Sequence, residues 1–273
     1  MTFSSRETSL FTGEPLRVVV IRRGSLVWRY AVGDRELEVD GQTFPAPGGV
    51  SYSEIRDSSQ RAKNRITITL PIDLPVADNW LPYPTAGTVL VACLAKHRGE
   101  TDYTVEWTGR VMGPKFSDTR IELICEPSRS VTKSRGNNLR WQRGCPVAVY
   151  SQGIGMCNAD PELHKVTTAY DDKDGLSIEA SAFGALPAGR LAGGFLRWLR
   201  PDGEPDYRTI MTHVGSVITI DYDTDAMEPA TSLDAFPGCK HDWEDCGYFS
   251  NQDNYAGCRY IPIKTPHDGN PVQ

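Results

Sequence analysis

The sequence predicts a mainly β chain folded as antiparallel barrels or sandwiches, and three observations carry that expectation. Short runs of β-branched and aromatic residues alternate with polar ones, the pattern of half-buried strands. Gly-centred turn signals separate the runs at hairpin spacing. Nothing in the first half of the chain has a convincing helical period.

In chain order, VVVIRRGSLVWRYAVGD (18–34) joins a β-branched run to an aromatic run through a Gly turn and reads as a hairpin. RELEVDGQTFPA alternates through Leu37 and Val39 and turns at Asp40-Gly41. NRITITLPID (64–73) sets Ile66, Ile68 and Leu70 against Thr67 and Thr69. TVLVACLAKH (88–97) and YTVEWTGRVMGPKFSDTRIELICEP (103–127) continue the series. Helical pieces are expected only as short segments, around 75–82 and 146–152. The polar stretch PSRSVTKSRGNN (127–138), with Arg129, Lys133 and Arg135, reads as a solvated connector. Strands resume in TTAYDDKDGLSIEAS (167–181), which carries a DG turn. GGFLRWLRPDGEPDYRTIMTHVGSVITIDYD (193–223) reads as a meander turning at PDG. Two β-rich domains are therefore expected, 1–140 and 141–273, the second closed by a loop-rich, cysteine-rich tail.

At 273 residues, 39% hydrophobic and 23% charged, the composition is that of an ordinary globular protein able to bury a core without staples. A net charge of −6 argues against a nucleic-acid binder, which would present a basic face. No run of about 18 apolar residues offers a membrane span. The opening MTFSSRETSLFTGEP has neither the basic start nor the apolar centre of a signal peptide. The expectation is synthesis in a reducing cytoplasm, where structural disulfides are disfavoured. Seven cysteines, an odd number, also suit complete pairing poorly.

Cys93 and Cys125 lie inside apolar strand patterns, where a free cysteine packs as a small hydrophobe. The other five do not. Cys145 and Cys157 bracket a Gly-rich segment, and Cys239, Cys246 and Cys258 fall in GCKHDWEDCGYFSNQDNYAGCRYIP. Zinc ligand pairs are usually two to four residues apart, so these spacings encode no tight knuckle. Long Gly-containing loops can wrap an all-thiolate iron–sulfur cluster instead. Spacing alone leaves cluster, zinc and unmetallated packing open. Asp242, Glu244 and Asp245 add negative charge near the thiols, and Lys240 and Arg259 are the cations nearest in sequence to balance it.

No phosphate-binding, dinucleotide, metalloprotease or hydrolase-elbow motif is present, so no enzymatic activity is expected. A Cys-dependent cell-wall hydrolase is the competing catalytic reading. It would pair one thiol with His97, His164, His213, His241 or His267.

The order Cys145, Gly155, Cys157, then Gly238-Cys239 to Cys246, then Phe249-Ser250-Asn251-Gln252-Asp253-Asn254-Tyr255-Ala256-Gly257 and Ile261-Pro262, resembles the phage tail-tip hub proteins. That family includes the lambda-type minor tail protein and the hubs of gene transfer agents. WRYAVGDRELEVDGQTFPA and NRITITLPID extend the resemblance, more loosely, over nearly the whole chain. The resemblance implies a β-rich structural virion protein at the tip of a long non-contractile tail. The first domain would form the tube and the second would carry a small loop-rich iron–sulfur region. It implies a homotrimeric ring between the distal tail protein and the central tail fibre protein, with the tape measure protein as a further neighbour. No membrane contact is implied for the mature hub, and DNA would meet it only in transit through the lumen. The family's 4Fe–4S cluster, carried over by position, would be held by Cys145, Cys157, Cys239 and Cys246, with zinc as the alternative metal. Cys258 falls outside that ligand set. Tyr248, Phe249 and Tyr255 would shield the cluster, and the Asn residues would satisfy loop backbone groups.

Overall fold

The Val-rich run forms β1 (Leu16–Arg23), which turns through Gly24 (φ 55°) into β2 (Leu26–Val32). In the computed structural model the described residues are 15–56, 64–97, 100–128, 141–224, 227 and 231–261. The chain divides into two units, Met1–Ser134 and Arg135–Gln273. The join, with Arg129, Lys133 and Arg135, lies outside the described residues.

In the first unit, Asp40 and Gly41 both adopt positive φ, as a two-residue hairpin turn requires, and join β3 (Leu37–Val39) to β4 (Gln42–Phe44). The remaining strands are β5 (Ser51–Tyr52), β6 (Ile66–Pro71), β7 (Leu90–Lys96), β8 (Thr104–Phe116) and β9 (Arg120–Pro127). All pairings are antiparallel, in the order β2-β1-β7-β8-β9-β6-β5. Alternation decides the faces. Ile66, Ile68 and Leu70 point to one core with Val19, Ile21, Val91, Ile121 and Leu123. Val18 and Ala31 face the other way and are covered by Val39 and Phe44 of the β3–β4 hairpin. The consecutive valines of β1 are thus buried on both faces. Cys93 and Cys125 lie fully buried in the first core, and burial pushes each thiol up to about 12. The helical piece expected at 75–82 is a short 3-10 turn, Pro75–Asn79, started by its proline.

The second unit repeats the principle with different strands: β10 (Val166–Ala169), β11 (Asp172–Asp174), β12 (Ser177–Glu179), β13 (Phe195–Leu199), β14 (Pro205–Val214), β15 (Val217–Ile220) and β16 (Ser232–Phe236). Their antiparallel order is β10-β16-β13-β14-β15-β12-β11. Leu196, Trp198, Ile210, Ile218, Leu233 and Ala235 form its core. The mainly β, antiparallel architecture is as expected. One expectation is corrected: residues 146–152 form turns, not a helix. Tyr150 sits at φ 63°, which no right-handed helix accepts, and from there its hydroxyl donates to the Pro237 carbonyl (2.7 Å). Strand β16 and a six-residue helix, α1 (Trp243–Tyr248), were not anticipated.

Candidate metal centre

The cysteine-bearing segments are drawn together by backbone and side-chain hydrogen bonds rather than by a strand ladder. The loop after Tyr150 is closed on itself. The Asn158 N–H donates to the Ser151 carbonyl (2.7 Å), and the Asn158 side chain bonds both the N–H and the carbonyl of Gly153. The Cys157 N–H donates to Ser151 Oγ (3.3 Å), so the loop presents this thiol from a defined frame.

Cys239 is placed by the glycine before it. A Cβ on Gly238 would stand 1.9 Å from the Ala192 carbonyl oxygen, and one on Gly194 would stand 1.9 Å from the Phe236 carbonyl oxygen. The two backbones pass so closely that only glycine fits at either position. The next residues form a bridge. The His241 N–H donates to Cys239 Sγ (3.3 Å), and its carbonyl accepts from the Cys145 N–H (2.7 Å), with His241 itself at φ 61°.

Cys246 rides on α1. Asp242 caps that helix, accepting the Asp245 N–H (2.7 Å). Asp245 is buried and accepts from the Lys240 N–H (2.7 Å) and from Arg190 Nη2 (2.6 Å). Burial alone would raise the Asp245 carboxyl, but the Lys240 amide and the Arg190 guanidinium outweigh it and hold it below the usual range. Beyond the helix the chain turns at Ser250 (φ 51°), and the Asn251 N–H donates back to the Cys246 carbonyl (3.1 Å). Asn251, itself buried, meets both cysteine-bearing segments: its Nδ2 bonds the Cys157 carbonyl and lies 3.4 Å from Cys157 Sγ, and its carbonyl accepts from Cys246 Sγ (3.1 Å).

Cys145, Cys157, Cys239 and Cys246 therefore sit in one electrostatic neighbourhood. Burial pushes the Cys246 thiol up to about 11, and the sulfurs of Cys239, Cys157 and Cys145 push the same way. Cys239 is raised first by burial, against the His241 N–H, with Asp245, Cys157 and Cys145 adding to the rise. Cys258 joins the same loops through its backbone, its N–H donating to the Gln142 carbonyl (2.8 Å). Among the described residues no group of three or more His, Cys, Asp and Glu side chains is disposed to hold a metal ion.

Aromatic rings pack among the cysteine-bearing segments. Phe249 is buried edge-on against Tyr150 (5.7 Å) and His164 (5.0 Å), whereas Tyr248 remains 40% exposed. Tyr255 donates to the Arg143 carbonyl (2.7 Å) and meets Trp243 edge-on (5.3 Å). A mostly buried cation beside the helix, not expected from the sequence, is Arg190. Its guanidinium lies over the Tyr248 ring (4.1 Å), and its buried Nη1 has no hydrogen-bond partner among the described residues. Arg259, expected from the sequence to balance charge, lies over the Trp243 and Tyr260 rings. The sequence offered no signal for Arg190, since it lies far along the chain from any cysteine.

Comparison with known proteins adds three findings. Residues 189–265, which include Cys239, Cys246 and Asn251, match the model of a family described as "Phage conserved hypothetical protein BR0599". An "Uncharacterized protein" of Xylella fastidiosa (strain 9a5c) is 39% identical over 179 residues, covering 61% of this chain and 37% of that protein. The aligned part thus spans little more than a third of that relative. A chain described as "Virion of native gene transfer agent (GTA) particle" superposes with a TM-score of 0.73 at 14% identity, over 100% of this chain and 96% of its own. The likeness to the virion chain is one of fold, and the second unit contains a segment similar to a phage-conserved family.

Proposed function

We propose that this chain is a structural virion protein of a phage-type tail tip, forming a hub ring between distal tail and central fibre. We further propose that Cys145, Cys157, Cys239 and Cys246 hold a 4Fe–4S cluster in its second unit. The observation that carries the reading is that the segments bearing those four cysteines, far apart in sequence, are joined by hydrogen bonds through Asn251 and His241. The fold shared with a gene-transfer-agent virion chain and the phage-conserved segment support the virion role. The ring is proposed as a homotrimer contacting the distal tail, central fibre and tape measure proteins, with DNA only in transit.

The residues present fit such a cluster. Four thiols form the soft donor set that iron–sulfur clusters take. The sulfurs of Cys239, Cys157 and Cys145 all act on Cys246, while among the described residues no group of three or more donors is disposed to hold a single metal ion. The unpartnered Nη1 of Arg190, beside the Cys246 helix, is a donor suited to an anionic neighbour. When bound, the cluster would supply a cross-link between the two segments together with a redox-active centre. The chain's own residues cap, bridge and shield the ligand loops. Burial raises the Cys239 and Cys246 thiols, so neither has the depressed value that a nucleophilic thiol needs.

The test is purification without air, with iron, zinc and acid-labile sulfide measured on one sample. A brown protein with about four irons and four sulfides per chain is expected. Alanine at any of the four ligands should lower that content, and alanine at Cys93, Cys125 or Cys258 should not. A colourless protein with one zinc would replace the cluster, and a metal-free protein with one fast thiol would overturn the structural role. Absence of the chain from purified particles would overturn the virion role.

A further inference from the structure

We infer that Asn251 is the positioning residue of this centre, its side-chain amide donating to the Cys157 sulfur and holding the 157 and 246 segments in register. The inference rests on the thiol-held cluster proposed above and assigns one residue outside the ligand set a defined electronic role. Asn251 reaches the two segments through different atoms. Its backbone is fixed to α1, the N–H donating to the Cys246 carbonyl (3.1 Å) and the carbonyl accepting from Cys246 Sγ (3.1 Å). Its side chain crosses to the other segment, where Nδ2 bonds the Cys157 carbonyl and lies 3.4 Å from Cys157 Sγ.

The orientation of the amide is determined by its neighbour. Asn254 Nδ2 donates to Asn251 Oδ1 (2.6 Å), so the oxygen is occupied as an acceptor and the NH2 group must face Cys157. Asn251 itself is buried, whereas Asn254 at its oxygen end is exposed. With a cluster bound, Cys157 would be a thiolate ligand. The amide N–H aimed at Cys157 would then face a sulfur carrying part of a negative charge and would make the stronger, charge-assisted kind of hydrogen bond. A donor to a ligand sulfur stabilises added electrons on a cluster, so this bond would raise the reduction potential as well as hold the ligand in place.

The experiment uses the full chain, reconstituted anaerobically with iron and sulfide, as wild type, Asn251→Asp and Asn254→Ala. Iron content, survival of visible absorption under a chelator, reduction potential by redox titration and melting of the metal-free forms are read together. Asn251→Asp keeps the size and the acceptor but replaces the donor with a negative charge. It should release iron about 10–100-fold faster, the usual cost of losing an outer-shell partner, and shift the potential to a more negative value. Asn254→Ala leaves both cysteines and Asn251 intact and should move both readouts the same way by less. Should Asn251→Asp fail to fold, Asn254→Ala decides alone. Wild-type potential and chelator resistance in either folded variant would overturn the role of Asn251 and leave the cluster standing. A wild type that takes up no iron would overturn the cluster itself, and the inference with it, before any variant is compared.

Discussion

Replacing Gly238 by alanine tests how the second unit places Cys239. The added Cβ would stand 1.9 Å from the Ala192 carbonyl oxygen and 2.7 Å from the Gly194 nitrogen, both backbone atoms with no rotamer to move aside. Ordinary contact begins near 3.4 Å, so one chain segment must retreat by roughly 1.5 Å. That retreat strains the hydrogen bonds from the Gly238 N–H to the Arg190 carbonyl (3.1 Å) and from the Gly194 N–H to the Leu191 carbonyl (3.0 Å). Overpacking of this kind costs about 1–3 kcal/mol. Each lost hydrogen bond adds about 1 kcal/mol. The expected loss is about 3–5 kcal/mol, which lowers Tm by roughly 10 °C in a unit of this size. Calorimetry of the metal-free protein reads it directly. Gly247→Ala is the control. Its Cβ meets only the flexible end of Gln252 (3.0 Å), and alanine favours helix over glycine by up to about 1 kcal/mol. A Gly238→Ala protein that melts like wild type would refute the argument that backbone contact excludes every other residue there.

Three further outcomes are expected. Arg190→Met should cost about 3 kcal/mol in urea unfolding because it leaves buried Asp245 without its charge partner, and Arg190→Met with Asp245→Leu should recover much of that loss. Burial alone would raise the Asp234 carboxyl, but hydrogen bonds from Thr167, Arg197 and Lys165 together hold it below the usual range. Its contribution to stability is therefore present above the unfolded carboxylate value near 3.9 and lost as pH falls through the lower folded value, so Asp234→Asn should flatten the acid limb of a Tm-versus-pH curve. Cys93 and Cys125, fully buried and pushed up to about 12, should resist thiol labelling until the chain unfolds, as peptide mapping would show.

The strands were legible wherever alternation and a turn signal coincided. Asp40-Gly41, Gly175 and the PDG turn at Gly203 each join the strands that the pattern assigns to them. Strand β16 was not legible, because SLDAF is short and its alternation is carried by Leu233 and Ala235 alone. Its place between β10 and β13 comes from long-range pairing. Helix α1 was masked by the cysteines and acidic residues around it. Its cap is visible afterwards in Asp242 followed three residues on by Asp245. The helix expected at 146–152 failed because Tyr150 is held at positive φ by a hydrogen bond to a carbonyl far along the chain.

By itself the sequence determined the class of the fold, the faces of its strands and the two segments rich in thiols. Those properties depend on period, turn chemistry and residue type, which are local along the chain. Only the tertiary structure decided which side chains stand beside those thiols. Arg190 reaches Asp245, His241 bridges Cys239 and Cys145, and Asn251 joins Cys157 to Cys246, all by closing loops between distant positions. The partner across such a closure is chosen by the packing of both ends, and no spacing within one segment encodes it.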